Sequence, residues 1–254
     1  MPDRRKHRGR HPDDDRLFAE GRREALRTAV AEFSWLLTRG YADPSALKLV
    51  GDRHGLTVRQ RTAVMRCACS DAALADRSAK RVALEPVADR PLGIDGYNLL
   101  ITIESALSGG LILVGRDGCC RDLASVHGTY RKVAETAPAI ELIADYLADR
   151  VATRIDWYLD RPVSNSGRLK ALMAEVLERR GLATADDAAA QPNASGGPIW
   201  NIELVASPDA VLVDYPGPIV TTDSAILDRG GAWVNLAAEI IRNRCRTAWL
   251  VDLR

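Results

Sequence analysis

Apolar positions recur at two different periods along the chain, and the change of period divides it. Over 16–39, Leu26, Val30, Phe33 and Leu37 fall on one helical face and Gly40 supplies a stop. Asp43-Pro44 reads as an N-cap followed by the first helical position, opening a second helix over 45–50 that Gly51 ends. Thr57-x-x-Gln60 has capping-box spacing and starts a third helix through about Cys69. These three helices predict a compact all-α module over 16–81.

Residues 82–90 read as a connection, because Pro86 and Pro91 limit helix. Short apolar runs then alternate with amphipathic stretches. The runs at 92–95, 111–114, 154–159, 199–206, 210–213, 219–222 and 248–253 predict strands. Helices are expected at 97–107, 136–151, 168–180, from 224, and at 233–244, with Arg116-Asp117-Gly118 as a hairpin turn and 183–197 as a surface loop. Alternation of this kind predicts an α/β domain over 82–254 with a mostly parallel sheet.

Composition adjusts this picture in few places. The 254 residues are 46% hydrophobic but only 5% aromatic, so aliphatic side chains and alanine build the core. The net charge of +1 gives no global pull towards nucleic acid, and any basic surface must be local. No apolar run is long enough to span a membrane, and the charged start lacks a signal-peptide core. Five cysteines, at 67, 69, 119, 120 and 245, form neither a disulfide framework nor a paired zinc motif, so a reduced, cytoplasmic setting is expected. Residues 1–15, a basic cluster followed by Asp13-Asp14-Asp15, read as a disordered tail that either touches nucleic acid or is simply solvated.

Candidate chemistry collects at strand ends. Asp95, Asp160 and Asp223 each follow an apolar or β-branched run and precede a small-residue turn. In an open α/β sheet, ligands bind beyond the carboxyl ends of the strands. A single aspartate there is usually a cap, but three with one grammar suggest a shared carboxylate cluster, the donor type that Mg2+ or Mn2+ takes. Glu104 could face Asp95 or be an exposed helix residue, and Asp228 could bend back to the same crevice. Arg121, Asp122, His127 and Arg131 form a polar group for substrate contacts or a buried network, with His127 a possible proton donor rather than a zinc ligand. The Ser164-Asn-Ser166 turn opens a helix and suits an anion or a serine cap. In the helical module, Arg53, Arg59, Arg61 and Arg66 either meet phosphates or lock helix to helix.

Ile94-Asp-Gly-Tyr-Asn98 resembles the opening motif of the NYN branch of PIN-like ribonucleases, and Val220-Thr-Thr-Asp-Ser224 resembles their late strand-to-aspartate motif. The chain after the tail also resembles an uncharacterised prokaryotic family in which a helical module precedes a PIN-like half. The resemblance implies a three-layer α/β/α domain and a carboxylate site for Mg2+ or Mn2+. It implies Asp95 as the first metal acid and Asp223 as the late one, with Asp160 between them, Glu104 and Asp228 as further acids, and Asn98 within the motif. The expectation is a metal-dependent ribonuclease, with Arg121, Arg131 and the Ser164 turn positioning phosphate. RNA is the expected partner, and the helical module could carry a protein or self-contact. The alternative is a non-catalytic RNA-binding or complex-forming protein. A small-molecule phosphatase is a weaker reading, because Tyr97 stands where a DxD motif needs its second acid.

Overall fold

The computed structural model describes residues 7–84, 90–124, 130–148, 150, 153–185 and 197–254. His127 lies outside the described residues, as does most of the expected loop over 183–197.

Helices α1 (Asp14–Leu17), α2 (Glu20–Thr38), α3 (Asp43–Arg53), α4 (Val58–Cys67) and α5 (Asp71–Lys80) build the first part of the chain. The Thr57 capping box forms in both directions: its side chain accepts from the Gln60 amide, and the Gln60 side chain reaches back to the Thr57 amide. Helix α3 runs through Gly51 instead of ending there, because the missing Cβ leaves room for the Arg61 guanidinium. The turn comes at Gly55, whose φ of +58° suits glycine. Helix α5 was not anticipated; Ser70 caps it by accepting from the Ala73 amide.

The second part contributes β1 (Leu92–Asp95), α6 (Gly96–Leu107), β2 (Leu111–Val114), β3 (Cys120–Asp122), α7 (Thr136–Ala148), β4 (Arg154–Asp160), α8 (Ser166–Arg179) and β5 (Ile199–Val205). It ends with α9 (Pro208–Val213), β6 (Ile219–Val220), α10 (Ser224–Arg229), α11 (Leu236–Arg244) and β7 (Trp249–Asp252). The stretch at 210–213, expected as a strand, is helical: Ser207 accepts from the Ala210 amide and Pro208 occupies the first turn, a strong helix start.

The strands form two sheets. One is fully parallel with order β5-β4-β1-β6, and the other has order β3-β2-β7, with β2 parallel to β7 and antiparallel to β3. In the first, the register pairs Gly93 with Asp156 and Asp95 with Tyr158. Side chains alternate across a strand, so Asp95, Asp156, Tyr158 and Asp160 share one face while Ile94, Ile155, Trp157 and Leu159 share the other. The apolar face is buried with residues of α6, α7, α8 and α11. The polar face carries a smaller cover from α9, α10 and Trp233.

The second sheet joins the halves. Leu111, Leu113, Val251 and Leu253 share a core with Leu26, Phe33, Val50 and Val64 of the helices, while Ile112 and Val114 face the α/β core.

Residues 7–13, expected as part of a disordered tail, lie against both halves. Arg8 donates through Nε to Glu104 Oε2 at 2.7 Å, and the Arg10 guanidinium sits 4.5 Å from the Trp249 ring centroid. Asp14 is fully buried and accepts from Arg59 Nε at 2.5 Å and Nη2 at 2.8 Å. Among the described residues, Arg8, Arg10 and Asp14 of this stretch thus have defined partners.

A carboxylate crevice at the parallel sheet edge

Asp95 ends β1, and α6 begins at the next residue. That abrupt turn needs Gly96: a Cβ there would stand 2.3 Å from Trp157 Nε1 and 2.5 Å from the Tyr158 carbonyl oxygen. Strand β6 lies beside β1 with Ile94 opposite Val220, so the two motif stretches meet at the same sheet edge. Thr221 Oγ1 donates to Asp95 Oδ2 at 2.8 Å, and Asn98 Oδ1 accepts from the amide and hydroxyl of Thr222, both at 2.9 Å. Because the Thr222 amide can only donate, the Asn98 amide orientation is fixed, and its Nδ2 is turned away from this pair.

Burial pushes the Asp95 carboxyl up to about 7, against the Thr221 hydrogen bond, with Asp223, Asp209 and Asp160 raising it further. Asp160, at the end of β4, is also raised, by burial first and then by Asp209. Asp95 and Asp160 thus end β1 and β4, while Asp223 follows β6 by three residues as the cap of α10, and Asp160 and Asp223 each raise the Asp95 carboxyl. Asp209 joins them from α9 and was missed in the sequence, where reading 210–213 as a strand hid the Ser207-Pro208 helix start that positions it.

Several candidates are tied into hydrogen bonds of the fold. Asp223 Oδ1 caps α10, accepting from the Ala225 amide at 2.7 Å and the Ile226 amide at 3.3 Å. Asp228 Oδ1 accepts from Arg77 Nε at 2.7 Å. Glu104 is fully buried, yet it faces away from Asp95, accepting from Arg8, Thr136 and Tyr130. Arg121 donates to both oxygens of Asp117 and to the Thr222 carbonyl. Asp117, expected as a simple turn residue, is thus the hub of a buried network that also binds Arg77 at 2.7 Å. Its two arginine neighbours hold its carboxyl far below the usual range despite burial.

Ser166 Oγ donates to the Val163 carbonyl, and the Ser164 carbonyl accepts from the Tyr130 amide, so this turn braces the fold. Asn165 holds a left-handed φ of 73° there. Arg131 is exposed, and its carbonyl accepts from Arg8. In the helical part, Arg59 is paired with Asp14, Arg61 with Asp52, and Arg53 lies 3.4 Å from Glu32. Arg66 Nη1 donates to the Asp122 carbonyl at 2.5 Å.

A cleft of about 900 Å³ opens between the helical part and this edge, lined on one side by Asp95, Asn98 and Asp223 and on the other by Tyr41, Met65 and Phe33. Among the described residues, no group of three or more His, Cys, Asp or Glu side chains is arranged to hold a metal ion. The oxygen donors are of the kind Mg2+ or Mn2+ takes, but they do not form a complete protein ligand set. No helix among the described residues is long and apolar enough to cross a membrane.

Comparison with known proteins follows the same division of the chain. Residues 25–80 match a family described as "Protein of unknown function (DUF434)", and residues 84–195 match a "Domain of unknown function (DUF5616)". The chain is similar to the uncharacterized protein MJ0935 of Methanocaldococcus jannaschii, at 29% identity over 154 residues, covering 61% of this chain and 74% of that protein. No solved structure matches. The chain is therefore a mixed α/β protein with regions that match two uncharacterised families and a distant similarity to an archaeal protein, itself uncharacterised.

Proposed function

We propose that the crevice is the reaction centre of a PIN-like ribonuclease that hydrolyses RNA phosphodiester bonds. The observation that carries this reading is the register of Ile94 opposite Val220. It brings together the two stretches that resemble the NYN motifs, and sets Thr221 against Asp95 with the Asp223 amide bonded to the same Thr221 hydroxyl.

Asp95 is suited to the proton chemistry. A general base works best when its pKa lies near the operating pH, and such a group contributes about 10²–10⁴-fold to rate. Buried at the cleft and held at about 7, Asp95 takes a proton from the attacking water as its oxygen bonds to phosphorus. The bond from phosphorus to the departing sugar oxygen breaks, and that oxygen takes a proton from solvent. Asn98 Nδ2 is the neighbouring donor for a phosphate oxygen. Because the carboxylates do not complete a ligand set, Mg2+ or Mn2+ is tested as a cofactor and carries no step here.

That incomplete set, with Asp223 engaged as a helix cap, favours the second reading: an RNA-binding protein on the same scaffold without chemistry. The experiment is Mn2+ titration by calorimetry and cleavage of single-stranded RNA, with wild type and the Asp95→Asn/Asp223→Asn variant. Saturable binding and cleavage, both lost in the variant, are expected. Cleavage that survives both substitutions rules out the catalytic assignment, and RNA binding without cleavage establishes the second reading.

A further inference from the structure

The cleft has a second wall that the hydrolytic chemistry does not use. Facing the aspartates are Phe33 and Leu37 of α2, Tyr41 of the following turn, and Met65 of α4, with Ile101 of α6 at the join. Phe33 is buried, but Tyr41 is 54% exposed and Met65 46% exposed, both unusually open for large apolar side chains. The backbone that carries Tyr41 is nevertheless fixed. Gly40 takes a φ of +78°, and the Tyr41 amide closes onto the Leu36 carbonyl at 3.2 Å, so the ring is presented from a rigid turn.

A polar group flanks this apolar wall. Asp43 opens α3 two residues after Tyr41 and lines the same cleft, exposed at its surface. An exposed aromatic face, a polarizable thioether and a carboxylate acceptor share one cavity of about 900 Å³. That combination suits a flat ring with a π-face and hydrogen-bonding edges, and the volume falls in the range of small-ligand sites, about 300–1,000 Å³.

We propose that the Tyr41–Met65 wall is a nucleobase subsite: it receives one unpaired base of a single-stranded RNA while the adjoining phosphodiester lies at Asp95. The choice of RNA rests on the ribonuclease reading above. Single-stranded RNA follows from the wall itself, because a base must be unstacked before it can lie on an aromatic side chain. The helical part of the chain would thereby select the substrate and the sheet edge would act on it.

The test is fluorescence anisotropy with a short single-stranded RNA, using full-length Asp95→Asn protein so that nothing is cleaved. Tyr41→Ala in that background is expected to weaken binding by about 5- to 150-fold, the range of one lost base stack. Tyr41→Trp is expected to retain it, and a duplex of the same sequence is expected to bind far less well. Tyr41 is half exposed, so circular dichroism should show an unchanged fold in both variants. Equal affinity for Tyr41→Ala, or duplex binding as tight as single strand, overturns the subsite. If wild type cleaves RNA and Tyr41→Ala still binds normally, the subsite alone fails. If RNA binds through Tyr41 and wild type cleaves nothing, the ribonuclease reading alone fails. No binding to any of these proteins removes both.

Discussion

The Thr221 hydroxyl donates to Asp95 Oδ2 at 2.8 Å and accepts from the Asp223 amide at 3.0 Å. One small side chain thus couples the acid at the end of β1 to the backbone that turns into α10. It also partly offsets the burial that raises the Asp95 carboxyl.

Removing the Asp95 charge should stabilise the protein. The folded-state pKa of about 7 lies above the ordinary 3.8, so the folded form holds the proton more tightly. The stabilisation from that proton is fully present below about pH 4 and lost as pH rises through 7. Asparagine mimics the protonated acid at every pH. Asp95→Asn should therefore gain stability over wild type between pH 4 and 7 and level off above, by on the order of 2–4 kcal/mol. Thermal melts at pH 5 and pH 8 check this; an advantage that fails to grow with pH contradicts it.

Asp117 should behave in the opposite sense. Its carboxyl is held far below 3.8 by Arg121 and Arg77, so its contribution is present above about pH 4 and is lost as pH falls further. Asp117→Asn leaves two buried guanidinium groups short of a counter-charge, and breaking such a pair costs about 3–5 kcal/mol. Urea unfolding at pH 7 should show a loss of that size, narrowing at pH 3. A gap that is constant across that range would show that Asp117 matters through shape alone.

Shortening the chain to begin at Pro12 removes Arg8 and leaves fully buried Glu104 without its cation. A loss of about 3–5 kcal/mol is expected, by the same reasoning. Adding Glu104→Gln to the shortened chain should recover part of it, because a neutral amide can still meet Tyr130 and Thr136. An unchanged melting temperature after shortening would mean that residues 7–11 merely rest on the surface.

At Gly96 two effects compete. Alanine gains up to about 1 kcal/mol of helix propensity over glycine, less at a first helical position. Overpacking typically costs about 1–3 kcal/mol, and here the Cβ would meet a backbone oxygen at 2.5 Å, which cannot rotate away. Gly96→Ala should therefore lower the melting temperature and disturb Asp95 together with it. A higher melting temperature would show that the strand-to-helix turn can relax.

Elements set by local rules were legible in the sequence. The Thr57 capping box, the Asp117-Gly118 hairpin and the run into Asp95 depend on residues within a few positions of one another, and each forms as the spacing predicts. What depended on distant partners was hidden. Arg8 looks like solvated charge until Glu104 arrives 96 residues later, and Asp117 looks like a turn residue until Arg77 is seen beside it. At the sheet edge, the ends of β1 and β4 at Asp95 and Asp160 could be anticipated, whereas β6 stops at Val220, short of the strand expected to run into Asp223. Asp209 could not be anticipated, because its α9 was read as a strand, and neither could the wall opposite, which is supplied by α2 and α4.

The pairing of β2 with β7 also has a consequence for how this protein is made. Leu250 lies opposite Ile112, and Val251 and Leu253 fill the core of helices that precede them by some of the longest separations in the chain. During synthesis, those helices emerge from the ribosome long before the strand that completes their core. They must wait, partly open, with apolar surface bare for as long as the rest is translated. Such distant contacts slow folding and expose a chain to aggregation in the interval. Loss of only the last few residues should thus be felt most at the opposite end of the sequence, in the part that folds first and finishes last.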